Sequence, residues 1–176
     1  LKADEKLTNK LRAKYSMGKP LVGISWQGGG NSARIPLKSI ELQQLLKILQ
    51  KKDVTFVSLQ YGNMESEIKK FCKKHNVEII NDKSINPLAD MDTWLSQVDA
   101  MDFVISVANT TIHGAGGLGK PTFCMVSNRS DWRWIDSDIH DDCYWYKSVN
   151  AGFQGLKEPW DKTVDKANEW LHDMLK

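Results

Sequence analysis

Residues 103–126, FVISVANTTIHGAGGLGKPTFCMV, decide the reading of this chain. A short apolar run, Phe103-Val107, ends in Ala108-Asn109-Thr110-Thr111. The Gly-rich segment Ile112-Gly119 follows, and Lys120-Pro121 breaks the chain before a second apolar run, Thr122-Val126. The order is strand, polar turn, helix, strand. Asn and Thr at the start of that helix gather hydroxyls and unsatisfied backbone N–H groups at one point, where the helix dipole favours negative charge. The turn is therefore a candidate anion site. Taken singly, Asn109 or Thr110 is accounted for as an N-cap, and His113 as a core histidine. Together, two threonines and a histidine in one turn exceed what a cap needs. Gly114, Gly116 and Gly117 each cost about 1 kcal/mol relative to Ala in a helix interior. They point to tight packing or a close ligand, while Gly119 suits a C-cap.

The same alternation extends in both directions. Leu7, Leu11 and Tyr15 at four-residue spacing predict a lead-in helix ending near Gly18-Lys19-Pro20. Leu21-Trp26 reads as a strand and Gln27-Pro36 as a polar loop. Leu42, Leu45, Leu46 and Leu49 predict an amphipathic helix over Ser39-Lys51. Val54-Leu59 is a second strand; Met64, Ile68, Phe71 and Cys72 mark a helix; Val77-Ile80 reads as a short strand. Trp94, Leu95 and Val98 mark a third helix, capped by Asp90 or Asp92. Cys143-Val149 is a candidate last strand, and Asp161 a candidate cap for a final helix with Val164, Ala167, Leu171 and Met174 inward. Strands alternate with helices and several are apolar on both faces. This predicts an α/β fold: a single doubly wound parallel-sheet, Rossmann-like domain over residues 20–176, preceded by a lead-in helix and linker over 1–19. Ligands of such sheets bind at the C-terminal strand ends, near the switch in strand order.

Composition is that of one soluble domain, with 176 residues, 41% hydrophobic and 26% charged, enough to bury a core without disulfides. A net charge of +2 calls for neither nucleic acid nor a membrane surface. Lys69-Lys70 and Lys73-Lys74 read as the wet face of a helix. Cys72, Cys124 and Cys143 form no CxxC pair, and the first two sit in apolar settings, which suits a reducing, cytoplasmic location. No signal peptide or membrane-spanning stretch stands out. The chain opens on Leu1, as a piece of a longer protein would.

Four loops follow strands and meet at one edge. In the first, Gly28, Gly30 and Ala33 match G-x-G-x-x-A, yet Pro36 delays the helix, and Ser58-Leu59-Gln60 stands where a ribose-binding acid belongs. An NAD site is therefore set aside. A flexible turn explains the glycines equally well, but Arg34 tilts the loop toward phosphate. In the second, Gln60-Tyr61 can reach a base or sugar edge, or cap the next helix. The third is the opening turn. The fourth, 127–146, holds Trp132-Arg133-Trp134, in which the two Trp flanking Arg133 would wall a pocket with the cation facing an anion. It also holds an acidic cluster, Asp136 to Asp142, without metal-ligand spacing and best read as solvated. No Ser-His-Asp order, HExxH or Walker motif occurs.

VISVANTTIHGAGGLGKPTF resembles the donor-binding segment of heptosyltransferase-like glycosyltransferases, and of bacterial tetratricopeptide-repeat proteins ending in a similar domain. Their pattern reads roughly VISVDTxxxHLAGALGKPVW. VGISWQGG, FVSLQYG, LADMDTWLSQVDAMD, DWRWIDSD…YWYKSV and a closing W-D-x-x-V helix follow in the family order, over about residues 20–175. O-GlcNAc transferase is similar more distantly; its phosphate-binding turn also has paired threonines, and its lysine before a Pro corresponds to Arg34-Ile35-Pro36. The resemblance implies the C-terminal, donor-binding half of a GT-B fold and an inverting, metal-independent glycosyltransferase. Asn109, Thr110, Thr111 and His113 would contact the diphosphate of a nucleotide sugar, with Gly28, Gly29 and Arg34 beside it. Gln60 and Tyr61 would lie near the nucleoside, and Arg133 would be a second basic group. No cofactor or metal is implied. The partners would be a nucleotide sugar, a saccharide, lipid or protein acceptor, and a preceding N-terminal half or helical repeats that supply the catalytic base. Ala108-Asn109 stands where the family has Asp-Thr, Gly114 and Gly117 replace larger residues, and the basic first loop is thinned to Arg34. These departures support the alternative, a non-catalytic binding or scaffold module that has kept the fold. A GT-B-fold epimerase would need acid–base carboxylates that the sequence does not place.

Overall fold

The apolar runs become five parallel strands in a computed structural model that describes residues 1–30, 32–129, 133–134 and 143–176. In chain order the elements are α1 (Glu5–Tyr15), β1 (Leu21–Ser25), α2 (Ile35–Lys38), α3 (Leu46–Leu49), β2 (Thr55–Ser58), α4 (Glu65–His75), α5 (Met91–Asp99), β3 (Phe103–Val107), α6 (Thr110–Gly117), β4 (Thr122–Val126), β5 (Val149–Phe153) and α7 (Asp161–Met174). The sheet order is β2-β1-β3-β4-β5. Ile24 lies between Ser58 on β2 and Ile105 on β3. The chain thus winds outward from β1 to β2, then returns to the other side of β1, and the switch point falls between the ends of β1 and β3.

Every residue of β1 and β4 is buried, as a sheet covered on both faces requires. One face packs Val22, Ile24, Phe56, Ile105 and Met125 against α3, α4 and α7. The other packs Leu21, Val57, Leu59 and Val104 against α1 and α5, with Cys124, Val149 and Ala151 continuing it beneath Ile112 of α6. Burial holds the Cys124 thiol well above its ordinary pKa, so it behaves as a core residue. Among the described residues no helix is long and apolar enough to cross a membrane.

Several elements differ from the sequence reading. The segment 39–51 is helical only over Leu46–Leu49, although Leu42, Leu45 and Leu49 are buried as their spacing requires. Its bonds Leu45 N–H to Leu42 O, Leu46 N–H to Gln43 O and Ile48 N–H to Leu45 O span three residues, a tighter winding that also returns i and i+3 to one side. Val77-Ile80 contributes one bridge, Ile80 to Val57, rather than a strand. The last strand is Val149–Phe153, not Cys143-Val149. Residues 143–148 turn instead, with the Val149 N–H bonded to Tyr146 O, and Tyr144 and Trp145 are exposed. Asp90 caps α5 as expected, but α7 starts without a side-chain cap and Met174 is exposed.

The lead-in helix is part of the domain. Arg12 donates to Ala100 O at 2.9 Å and to Asp102 Oδ1 at 2.6 Å, and Asp102 Oδ2 accepts the Leu21 N–H that opens β1. Asp82 accepts from Lys14 Nζ and Tyr15 Oη, both at 2.6 Å, and from Ser84. Burial alone would push the Asp82 carboxyl up. The bonds from Lys14, Tyr15 and Ser84 together outweigh it and hold the group at about 2. Its folded pKa is below the ordinary value of about 3.9, so its contribution is present above about pH 4 and is lost as pH falls toward 2. Asp82→Ala is expected to destabilise the fold by about 2 kcal/mol at neutral pH. In urea denaturation, the gap between wild type and Asp82→Asn should narrow as pH drops through that window.

Candidate functional site

Three strand ends meet at the switch point, joined by a relay of side chains. Asn109 precedes α6 in extended conformation, and its Oδ1 accepts the Thr111 N–H at 2.8 Å, which caps the helix. The same oxygen accepts from Ser106 Oγ at 3.1 Å. Its Nδ2 donates to Ser25 Oγ at 2.7 Å and to Gln27 O at 3.0 Å. Ser25 Oγ in turn donates to Gln60 Oε1 at 3.0 Å, and that oxygen also accepts the Trp26 and Gln27 N–H groups at 3.0 and 2.8 Å. The ends of β1, β2 and β3 are thereby locked through Ser25, Gln60 and Asn109.

The first loop leaves this junction and returns to it. Ile40 N–H donates to Trp26 O at 2.9 Å, and Gly28 N–H to Ser39 Oγ at 3.0 Å. Gly29 passes so close to Tyr61 that a Cβ there would sit 2.6 Å from its hydroxyl. Gly30 has φ +107°, open to glycine but strained for other residues. Arg34 is exposed at the start of α2 and faces a different cavity from Thr110 and Thr111.

The glycines of α6 are explained by packing. A Cβ on Gly114 would lie 2.9 Å from the Trp94 ring, and one on Gly116 would lie 2.4 Å from the Tyr146 ring. Pressed against Trp94, α6 presents Thr110 and Thr111 to an apolar slot of about 230 Å³ lined also by Leu59, Tyr61, Pro87, Leu88, Met91 and Trp94. Thr111 N–H is taken by Asn109 Oδ1 and Ile112 N–H by Asn109 O, so the first amide of the helix, Thr110, has no intrahelical acceptor. Thr110 is exposed. A polar cavity of about 380 Å³ adjoins the slot through Leu59, Tyr61, Pro87, Leu88 and Trp94, and Gln60, Asn63 and Asn86 line it. At its rim Glu65 pairs with Lys69 at 2.6 Å and Lys83 at 2.7 Å, and those hydrogen bonds hold its carboxyl down at about 2.

The structure therefore brings Thr110, Thr111 and Tyr61 to one slot, with Gly29 against Tyr61. Gln60 and Asn109 stand behind it as the brace of the strand ends. His113 lies elsewhere: its Nδ1 is 3.2 Å from Tyr146 Oη and its ring packs near Trp134. Trp134 is buried, and Arg133 is exposed with its carbonyl accepting from Trp145 Nε1. Trp132 and the acidic cluster fall outside the described residues. Among the described residues no three His, Cys, Asp or Glu side chains gather as a metal site. Sequence reasoning missed Pro87, Leu88 and Met91. Their signal was an apolar residue on each side of the Asp90 cap, Leu88 before it and Met91 at the first position of α5, both exposed.

No family model matches the chain. It is 30% identical over 154 residues to Protein FlbA of Caulobacter vibrioides, covering 88% of this chain and 25% of FlbA, so it spans a quarter of that relative's length. Among solved structures, the E. coli ADP-heptose LPS heptosyltransferase II superposes with a TM-score of 0.65 at 12% identity, over 100% of this chain and 54% of that one. A glycosyl transferase family 9 protein of Veillonella parvula gives 0.63 at 9% identity, over 97% and 47%. At such identities the likeness is one of fold: a Rossmann-like α/β domain matching about half of a GT-B glycosyltransferase.

The brace is testable apart from any activity. Gln60→Ala leaves the Trp26 and Gln27 N–H groups without their acceptor and is expected to cost about 2–4 kcal/mol in urea denaturation. Gln60→Glu, which keeps the acceptor oxygen, should recover much of the loss.

Proposed function

We propose that this chain is the C-terminal, donor-binding half of an inverting, metal-independent glycosyltransferase that uses a nucleotide diphosphate sugar. The observation that carries the proposal is the apolar slot opening on the first turn of α6 at the switch point. Its walls suit a flat base: Leu88 and Met91 are exposed apolar residues, with the Tyr61 ring and Pro87 beside them. At the slot's end the unpaired Thr110 amide, the Thr110 hydroxyl and the dipole of α6 suit the diphosphate, with the Gly28-Gly29 loop passing behind Tyr61. Fixed dipoles at that point are what sugar transfer needs. The acceptor oxygen attacks the anomeric carbon, the bond from that carbon to the diphosphate breaks, and its electron pair leaves with the diphosphate. Charge on the departing group is met by N–H and hydroxyl donors already in place. A base on the acceptor half would take the proton from the attacking hydroxyl. That half, or helical repeats, would precede this chain in a cytoplasmic protein acting on a saccharide, lipid or protein.

A second reading, a binding or scaffold module without catalysis, is favoured by Asn109. Both ends of its side chain are engaged by the strand brace and the helix cap, which leaves the diphosphate to Thr110.

Calorimetric titration with UDP, ADP and GDP tests both readings. One of the three is expected to bind with a dissociation constant of about 1 mM or tighter. Leu88→Asp, at a residue 75% exposed and so harmless to folding, should weaken it about tenfold. Thr110→Ala should weaken it about threefold. Absence of binding by all three at several millimolar (on the scale of) would sink the donor-site reading.

A further inference from the structure

The lead-in helix reaches the candidate site through one carboxylate. Asp82 lines the polar cavity, and its two oxygens serve different elements. Oδ2 accepts from Lys14 Nζ and Tyr15 Oη of α1, both at 2.6 Å. Oδ1 accepts the Ser84 N–H at 3.1 Å and Ser84 Oγ at 2.7 Å. The Asp82 carbonyl also accepts the Ile85 N–H at 3.2 Å. This turn leads directly into Asn86, Pro87 and Leu88, which wall the cavity, and the last two wall the slot as well. Asn86 Oδ1 accepts the Leu88 N–H at 3.1 Å, and its carbonyl accepts the Asp90 N–H at 2.9 Å. Residues 83–89 contain no helix or strand. They are therefore held at one end by the Asp90 cap of α5 and at the other by Asp82. The Asp82 side chain is 5% exposed, so water does not readily replace the donors from α1.

α1 touches the cavity wall a second time. Tyr15 Oη accepts from Gln97 Nε2 at 3.2 Å, and Gln97 is a buried residue of α5 that also lines the cavity. Tyr15 is itself buried. Burial, aided by the Asp82 carboxylate, holds its phenol well above the ordinary pKa, so the hydroxyl remains a donor. One hydroxyl thus supports two residues of the wall from behind. Lys14 is half exposed, and its share is the smaller one. Other anchors of α1 lie away from the site: Arg12 meets Ala100 and Asp102, and Thr8 meets Asp99. None of those three partners lines the cavity or the slot.

We propose that Tyr15 is a positioning residue for the candidate site. Through Asp82 and Gln97 it sets the segment that carries Pro87 and Leu88, so that docking of α1 and filling of the slot favour each other. Such coupling is reciprocal: a ligand in the slot tightens α1, and whatever loosens α1 at Tyr15 lowers the affinity of the slot. The wiring from Tyr15 to Leu88 stands without the nucleotide-sugar reading; only the identity of what fills the slot rests on it.

Tyr15→Phe keeps the ring and its packing and removes the hydroxyl alone. In hydrogen exchange of the whole chain, the Ser84 and Leu88 amides are expected to exchange about fivefold faster in Tyr15→Phe than in wild type, with the Thr111 amide unchanged. Arg12→Ala, which cuts the bonds of α1 to Ala100 and Asp102, should leave all three amides as in wild type. Calorimetric titration with UDP, ADP and GDP then reads the site. The nucleotide that binds wild type is expected to bind Tyr15→Phe about fivefold more weakly, and Arg12→Ala within about twofold of wild type. Unchanged exchange at Ser84 and Leu88 in Tyr15→Phe overturns the positioning role. Equal losses of affinity in Arg12→Ala and Tyr15→Phe also overturn it, because they mark a general loosening of the fold. Faster exchange with undiminished nucleotide affinity overturns the coupling. If no nucleotide binds wild type, the donor-site reading fails and the exchange measurement alone decides on Tyr15.

Discussion

The buried junction of Ser25, Gln60 and Asn109 is the constraint on which the rest of this molecule depends. A parallel sheet ends in backbone groups that no neighbouring strand satisfies, and at a switch point two adjacent strands send their chains to opposite faces. Here the Gln60 carbonyl oxygen collects the Trp26 and Gln27 N–H groups and the Ser25 hydroxyl, while Asn109 takes Ser25 Oγ and Gln27 O from the other side. Buried donors left unpaired cost about 1–3 kcal/mol each, so the junction fixes both the departure of the glycine loop and the start of α6. The start of α6 places Thr110 and Thr111 at the slot that Leu88 also lines.

Much of this was legible in the sequence. The apolar runs Leu21-Trp26, Val54-Leu59, Phe103-Val107 and Thr122-Val126 all became strands, because a strand buried on both faces leaves a continuous hydrophobic signature that little else imitates. The start of α6 was legible too, because Asn109 directly after an apolar run is an N-cap signature and does cap the helix. The misreadings share a cause as well. Leu42, Leu45 and Leu49 face inward as read, but spacing reports which side is buried and not which carbonyl each N–H meets. The aromatic run at 144–146 has strand-like composition, yet Tyr144 and Trp145 point to solvent and the pairing begins at Val149.

The side chains divide between holding and presenting, a division that residue type alone does not announce. Gln60 and Asn109 are polar residues at strand ends, as ligand contacts would be, and their amides are occupied by the scaffold. Leu88 and Arg129 lie outside regular elements and Met91 opens α5, where a single sequence gives little reason to notice them, and all three are open to solvent. The glycines of α6 belong with the scaffold too, since Gly114 and Gly116 admit the Trp94 and Tyr146 rings that set the helix in place.

The central claim is that the edge of the sheet at its switch point binds a nucleotide, with the base in the slot and phosphate at α6. Amide chemical-shift mapping of the isotopically labelled chain during titration with UDP, ADP and GDP tests it most directly. The account predicts that the nucleotide that binds moves the Thr110 and Thr111 amides and the Leu88 region most, while the opposite edge around Lys19 and Lys52 stays unperturbed. Shifts concentrated at that opposite edge, or none anywhere at several millimolar nucleotide (on the scale of), would contradict it.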